Sequence, residues 1–423
     1  MTGRMSQPTR ILIALLAGVI LGIAGARLGW EAALDVADPV GGVWLDALRM
    51  TIIPLVVALL VTGIGRTADS ARGGGLALKA VALFLVMLWT SSALGAILTP
   101  LALDLWPMPA DSAAALKTAL GGTHVDVAPP PPLSQFLRSI VPTNPVAAAA
   151  ADNFLPLILF TTLFGIASTM LNAERRERIT GFFDAVSEAM LVMVGWVLWL
   201  APIGVFALAF AVGLRAGSAA IGALLHYIII VSGVGLVISL TAYPIARYAG
   251  RAKLGRFARG VLPAQAVALS TQSSLATLPQ MLSSAERIGV PENSAAVTLP
   301  LAVALFRVTG PAMNLAVAIY VAHWFGQELS VTALATGVVV AAITTMGAVS
   351  LPGQVSFLTS IVPIAAAMGV PIEPLALLIA VEMLPDLVRT VGNVTMDVAA
   401  TTVVARLSGD ALEENGQEHA TLP

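Results

Sequence analysis

Along this chain apolar residues do not alternate with polar ones; they gather into runs. Six runs mark the first 246 residues: 11–26, 52–64, 80–103, 154–170, 189–212 and 221–246. Most approach the roughly 20 residues that carry a helix across the hydrocarbon layer of a membrane. They have no polar face, so they do not suit surface helices of a soluble protein. The pattern predicts six membrane spans up to residue 246. The linker 107–132, "PMPADSAAALKTALGGTHVDVAPPPP", is rich in Pro, Gly and polar residues and predicts a loop without fixed structure.

After Arg259 the pattern changes. "ALSTQSSLATLPQML" (268–282) and "TTMGAVSLPGQVSFLTS" (344–360) are too polar at their centres for helices facing lipid. Irregular backbone at membrane depth requires burial in protein or a wet cavity. Two re-entrant hairpins follow, one with Ser273, Ser274 and Thr277 at its tip, the other with Ser350, Pro352 and Gly353. Between them, 298–324 is long enough to span but carries Arg307 and then Thr309, Gly310 and Pro311. Proline removes a backbone donor and glycine loosens the turn, so this span should break near its middle. Hairpin plus broken span (257–325) and hairpin plus final span (330–406) then read as inverted repeats, the plan of many transporters.

The final span holds the densest chemistry. In "VEMLPDLVRTVGNVTMDVAA" (381–400) the polar residues are Glu382, Asp386, Arg389, Asn393 and Asp397. On a helix they fall at roughly 0°, 40°, −20°, 20° and 60°, on one narrow face. One buried acid–arginine pair could simply hold helices together. A membrane-buried ionisable group costs about 2.5–3.5 kcal/mol even on the milder scale, so three acids around one arginine point to a site. Arg389 stays charged and can hold a carboxylate through two parallel hydrogen bonds.

Composition sharpens the class. The chain has 423 residues, 57% hydrophobic and 11% charged, against roughly 25% charged in soluble domains. A soluble protein of this balance would expose too much apolar surface. With no cysteine, disulfides and thiolate metal sites are excluded. The four histidines are scattered without metal-ligand spacing, and the net charge of −2 gives no reason to expect nucleic acid. The basic start and first apolar run resemble a signal peptide, but the equally apolar segments that follow favour a first transmembrane helix. Lysine and arginine gather at residues 4 and 10, 66–79, 175–178 and 247–259, which places the N-terminus in the cytoplasm. No hydrolase or kinase motif occurs, so no enzyme activity and no resident cofactor are expected.

Five segments, in order, resemble the dicarboxylate/amino acid:cation symporter family: "SIVPTNPVAAAA" (139–150), "APIGVFAL" (201–208), "SSLATLP" (273–279), "LPG" (351–353) and "PDLVRTVGNVTMD" (385–397). The resemblance implies an all-α polytopic membrane protein with eight transmembrane helices, two re-entrant hairpins and inverted repeats. It implies a homotrimer in the cell (inner) membrane with both termini in the cytoplasm. It also implies a fixed scaffold of spans 1–2 (1–75) and of the external loop with spans 4–5 (106–218). A moving part would comprise span 3 (76–105), span 6 (219–256) and a core at 257–406, with 407–423 as a cytoplasmic tail. The function implied is secondary active symport of acidic amino acids or C4-dicarboxylates by an elevator motion.

By the same resemblance Asp386 holds an α-amino group, Arg389 a side-chain carboxylate and Asn393 the α-carboxylate with Ser273 and Ser274. Thr390 is a further contact, Pro352 and Gly353 form the second hairpin's tip, and Asp397 with Asn393 forms a Na⁺ site. The presence of both Asp386 and Arg389 favours aspartate or glutamate. One departure stands out. The family's seventh span carries "NMDGT"; here "FRVTG" (306–310) stands in its place. Two cation ligands become Phe306 and Val308, and a guanidinium arrives at Arg307. Arg307 could replace a coupling cation by pairing with Asp397 or Glu382. Na⁺ coupling would then be reduced or replaced by H⁺, with Glu382 or Asp386 titrating. Alternatively Arg307 is a second carboxylate clamp in a cation-independent exchanger or dicarboxylate carrier. An uncoupled anion channel and a sensor without transport remain the rival classes.

Overall fold

The computed structural model describes residues 7–72, 74–108, 138, 141–347, 353–410 and 412. Among these residues every regular element is helical. The helices are α1 (Gln7–Leu28), α2 (Leu34–Arg72), α3 (Gly75–Leu105), α4 (Pro145–Ala150), α5 (Phe154–Thr169), α6 (Ala173–Trp199), α7 (Ala201–Ala216) and α8 (Ala219–Leu240). They continue as α9 (Leu254–Thr271), α10 (Ser274–Ile288), α11 (Glu292–Leu305), α12 (Thr309–Trp324), α13 (Val331–Gly347), α14 (Gly353–Ala367), α15 (Leu375–Leu378) and α16 (Met383–Leu407). Among the described residues, six helical stretches are long and apolar enough to cross a membrane. The protein is an all-α, multi-pass membrane protein, as its apolar runs predicted.

Two spans differ in extent from the prediction. The run at 52–64 is only the second half of α2, which has 39 residues. Its first half carries charges that hid it, and two of these are paired with distant residues: Arg49 with Glu373 at 2.8 Å, Asp38 with Arg215. The run at 189–212 crosses the joint between α6 and α7, where Pro202 sits in the first turn of α7. Proline suits a first helical turn because those N–H groups lack partners in any case.

Packing has two dense groups, which meet where α2 touches α3 and α13 and where α5 touches α14. Helix α1 lies along α7, and α2 packs on α5, α6 and α7. The α1–α7 crossing is tight: a Cβ on Gly18 would come within 2.6 Å of the Phe206 carbonyl oxygen. Gly18 and Gly22 form a small-xxx-small face, the usual means of bringing membrane helices close. In the second group α12 packs on α3 and α8, α16 on α8 and α9, α9 on α10, and α13 on α14. Every residue of α12 except His323 is buried. A helix apolar all round is buried all round, and α12 is the centre of this group.

Candidate functional site

The irregular backbone comes first. Helix α11 ends at Leu305, Phe306 is extended (φ −119°, ψ 111°), and α12 starts at Thr309. The break therefore lies three residues before Pro311, which sits in the first turn of α12. Phe306 is buried and stacks on Phe84 of α3, ring centroids 4.6 Å apart. Ser91 of α3 donates to the Val308 carbonyl. The first turn of α12 is held from α16: the Asn393 side-chain oxygen accepts from the Thr309 N–H (3.0 Å) and from its hydroxyl (2.8 Å). Asn393 thus latches the broken helix onto the final one.

Helix α16 delivers the charged cluster. Glu382 immediately precedes it in helical conformation, so the predicted stripe continues without a step. The Nη1 group of Arg389 donates to Glu382 and to Asp386, the latter at 3.1 Å. These side chains are 6%, 1% and 14% accessible for Arg389, Glu382 and Asp386, so this is a buried ion triad. Tyr227 of α8 donates to the second oxygen of Glu382 at 3.3 Å. On its other edge, among the described residues, Arg389 has only a long contact from Nη2 to the Asn314 oxygen (3.4 Å), and its buried Nε has no hydrogen-bond partner. Nε–H and one Nη2–H point the same way; they are the edge that receives a carboxylate in two parallel bonds.

About two turns beyond Arg389, Asp397 is fully buried and neither oxygen accepts a hydrogen bond from the described residues. A buried carboxylate without donors must be neutral or have a cation beside it. Arg307, just past the end of α11, is in electrostatic reach of Asp386, Asp397 and Arg389, and its Nη1 lies 3.5 Å from the Ser356 hydroxyl of α14. Of the pairings expected for Arg307, the one with Asp397 goes no further than electrostatic reach, with no hydrogen bond to either carboxylate oxygen. Glu382 is occupied by Arg389 and Tyr227.

The hairpin residues are placed in part. Helices α9 and α10 pack on each other across a two-residue joint, Gln272 and Ser273, and α10 also packs on α16. Gln272 is left-handed (φ 50°), and the Ser273 hydroxyl caps α10 by accepting from the Ala276 N–H at 3.2 Å. Ser274 is buried at the start of α10, and Thr390 is buried on α16. Gln265 ties α9 to Thr395 of α16 (2.9 Å). Gly353 opens α14, while Ser350 and Pro352 lie outside the described residues.

The sequence did not single out Tyr227, Thr309 and Asn314 as partners of the stripe, or Ser356 as a neighbour of Arg307. Tyr227 lies within an uninterrupted apolar run, where nothing in the spacing distinguishes it from core. Asn314, the one amide in a wholly apolar helix, did carry a signal.

Residues 8–407 match the sodium:dicarboxylate symporter family. The chain is 26% identical to the proton/glutamate-aspartate symporter of Escherichia coli (strain K12), over 95% of this chain and 93% of that protein. It is 28% identical to the proton/sodium-glutamate symport protein of Bacillus subtilis (strain 168), over 95% and 92%. It is 30% identical to a C4-dicarboxylate transport protein of Solibacter usitatus (strain Ellin6076), again over 95% and 92%.

Proposed function

The chain belongs to the sodium:dicarboxylate symporter family, a family of transporters rather than enzymes, and from that premise we propose that it carries an acidic amino acid or C4-dicarboxylate on Arg389. The observation that carries this reading is the open edge of the guanidinium. Glu382 and Asp386 hold Nη1 and fix the plane, so Nε and Nη2 stand ready for a substrate carboxylate. A pre-oriented fork loses less entropy on binding than a free arginine. Asp386, the most accessible of the triad, can exchange part of its contact with Arg389 for a substrate ammonium group. That favours aspartate or glutamate, in keeping with the glutamate-aspartate and glutamate symporters among its relatives. Thr390, Ser273, Ser274, Pro352 and Gly353 complete the substrate contacts in this reading.

The charge balance sets the coupling. With all groups ionised, three acids (Glu382, Asp386, Asp397) face two guanidiniums (Arg307, Arg389), leaving −1. A singly charged amino acid takes this to −2, which is why a positive charge must travel with it. Had position 308 kept an aspartate and position 307 a neutral residue, the site would be two units more negative. Arg307 therefore stands in for part of the coupling charge. Na⁺ coupling is reduced or replaced by H⁺, with Asp397 and Glu382 as the groups that take the proton and Asn393 beside them. Had Arg307 instead clamped a second carboxylate, an amine-free dicarboxylate and cation-independent exchange would follow.

The two packing groups support an elevator, with α1, α2 and α4–α7 as a scaffold (residues 1–75 and 106–218) and α3 and α8–α16 as the moving part. In this reading the assembly is a homotrimer in the inner membrane with both termini cytoplasmic. Uptake of labelled aspartate and succinate into proteoliposomes, driven separately by a pH gradient and a Na⁺ gradient, tests it. Accumulation driven by pH is expected. Steep dependence on several Na⁺ per substrate refutes the role of Arg307, and no accumulation of either substrate under any gradient refutes the carrier.

A further inference from the structure

At the end of the bundle where basic residues gather, the chain leaves α8 through the turn Ala242–Pro244 and a wide π-type turn, Ile245–Ala249. It then reverses at Arg251 (φ 59°) to start α9. The reversal leaves a cavity of about 370 Å³ between the start of α9, the end of α10 and the end of α16. Among the described residues four cationic side chains line it, Arg251, Lys253, Arg256 and Arg406, against a single acid, Asp410.

Several of these groups are held in place by the backbone. Arg406 donates to the Ala249 carbonyl (2.8 Å) and the Tyr248 carbonyl (3.3 Å). Arg256 donates through Nε to the Arg287 carbonyl (2.9 Å). Asp410 accepts from the Ser294 hydroxyl (2.6 Å), which fixes the acid on the far wall. The close approach of the π-type turn to α16 also fixes the floor: a Cβ on Gly250 would sit inside the Thr402 side chain. The cations are thus arranged around a fixed space whose described lining carries four cationic groups and one acid.

We propose that this cavity binds a phosphate-bearing anion, supplied either by the headgroup of an anionic phospholipid or by a free phosphate in solution. Several guanidinium forks and one ammonium suit a group with three or four oxygens and up to two negative charges. One carboxylate, with two oxygens and one charge, would leave most of them unmatched. The cavity is remote in sequence from the Arg389 cluster except through α16, whose other end forms its wall. It is independent of the transport reading, and its test needs neither substrate nor gradient.

The full chain, purified in an uncharged detergent, is heated and its tryptophan fluorescence followed. One arm adds sodium phosphate or pyrophosphate against chloride at equal ionic strength. The other adds short-chain phosphatidylglycerol against phosphatidylcholine of the same chain length. A rise in melting midpoint is expected in at least one arm. Response to phosphatidylglycerol alone assigns the headgroup; response to phosphate as well assigns a free anion. In Arg251→Asn/Lys253→Gln the apparent affinity should fall at least tenfold, and in Asp410→Asn it should rise. Both replaced side chains are exposed, and asparagine tolerates the left-handed backbone at 251. Lys253→Glu alone, at an extended exposed position, gives the same readout should the double variant fail to fold. No shift in either arm, or a shift undiminished in these variants, overturns the proposal.

Discussion

Replacing Arg389 with glutamine removes the charge at the centre of the cluster while keeping a polar side chain. Asp386 sits 3.1 Å from Nη1, a separation at which unit charges attract by about 5 kcal/mol at an effective dielectric near 20. Glu382 is more deeply buried and would keep only the 3.3 Å bond from Tyr227. Breaking a buried ion pair by removing one partner costs about 3–5 kcal/mol. Substrate binding suffers separately. Two charge-assisted hydrogen bonds at about 1.5–3 kcal/mol each correspond to a loss of about 10²- to 10⁴-fold in affinity. The two effects come apart in a second variant, Arg389→Gln/Glu382→Gln, which removes the orphaned buried acid. That variant should recover most of the lost melting temperature and none of the substrate affinity. The assays are thermal unfolding in detergent and substrate binding by calorimetry. Retained affinity in the single variant, or an unrecovered midpoint in the double one, would refute the reasoning.

Arg307→Met makes the site one unit more negative, so substrate affinity at fixed pH and low Na⁺ should fall about tenfold or more, the effect of roughly 1.4 kcal/mol, and raised Na⁺ should restore part of it; titrating substrate at two Na⁺ concentrations checks this. Asp397→Asn removes the carboxylate that has no donor; it should leave thermal stability within about 1 kcal/mol or raise it, and should abolish uptake driven by a pH gradient while exchange persists, read by counterflow in liposomes. Asn393→Ala leaves the Thr309 N–H without its acceptor, while the hydroxyl keeps the Arg389 carbonyl, costing about 1–3 kcal/mol and lowering both the melting midpoint and substrate affinity. Gly22→Val drives a side chain into the α7 backbone, and overpacking of this kind costs about 1–3 kcal/mol or more, read as a lower melting midpoint with binding per folded molecule unchanged.

The sequence by itself determined that the chain crosses a membrane, because transfer of long apolar runs out of water outweighs any other local preference. It determined the stripe on the last helix, because helical period is a local property, and it located the broken span within a few residues from Gly310 and Pro311. It did not locate the first half of α2, whose charges are satisfied by residues as distant as Asp38–Arg215 and Arg49–Glu373. It did not reveal that Glu382 is shared with Tyr227 rather than Arg307, or that Asn393 is engaged by Thr309. Those pairings join residues 84 and 155 positions apart, so no spacing rule records them. Only the packing of α8, α12 and α16 decides which polar groups satisfy one another.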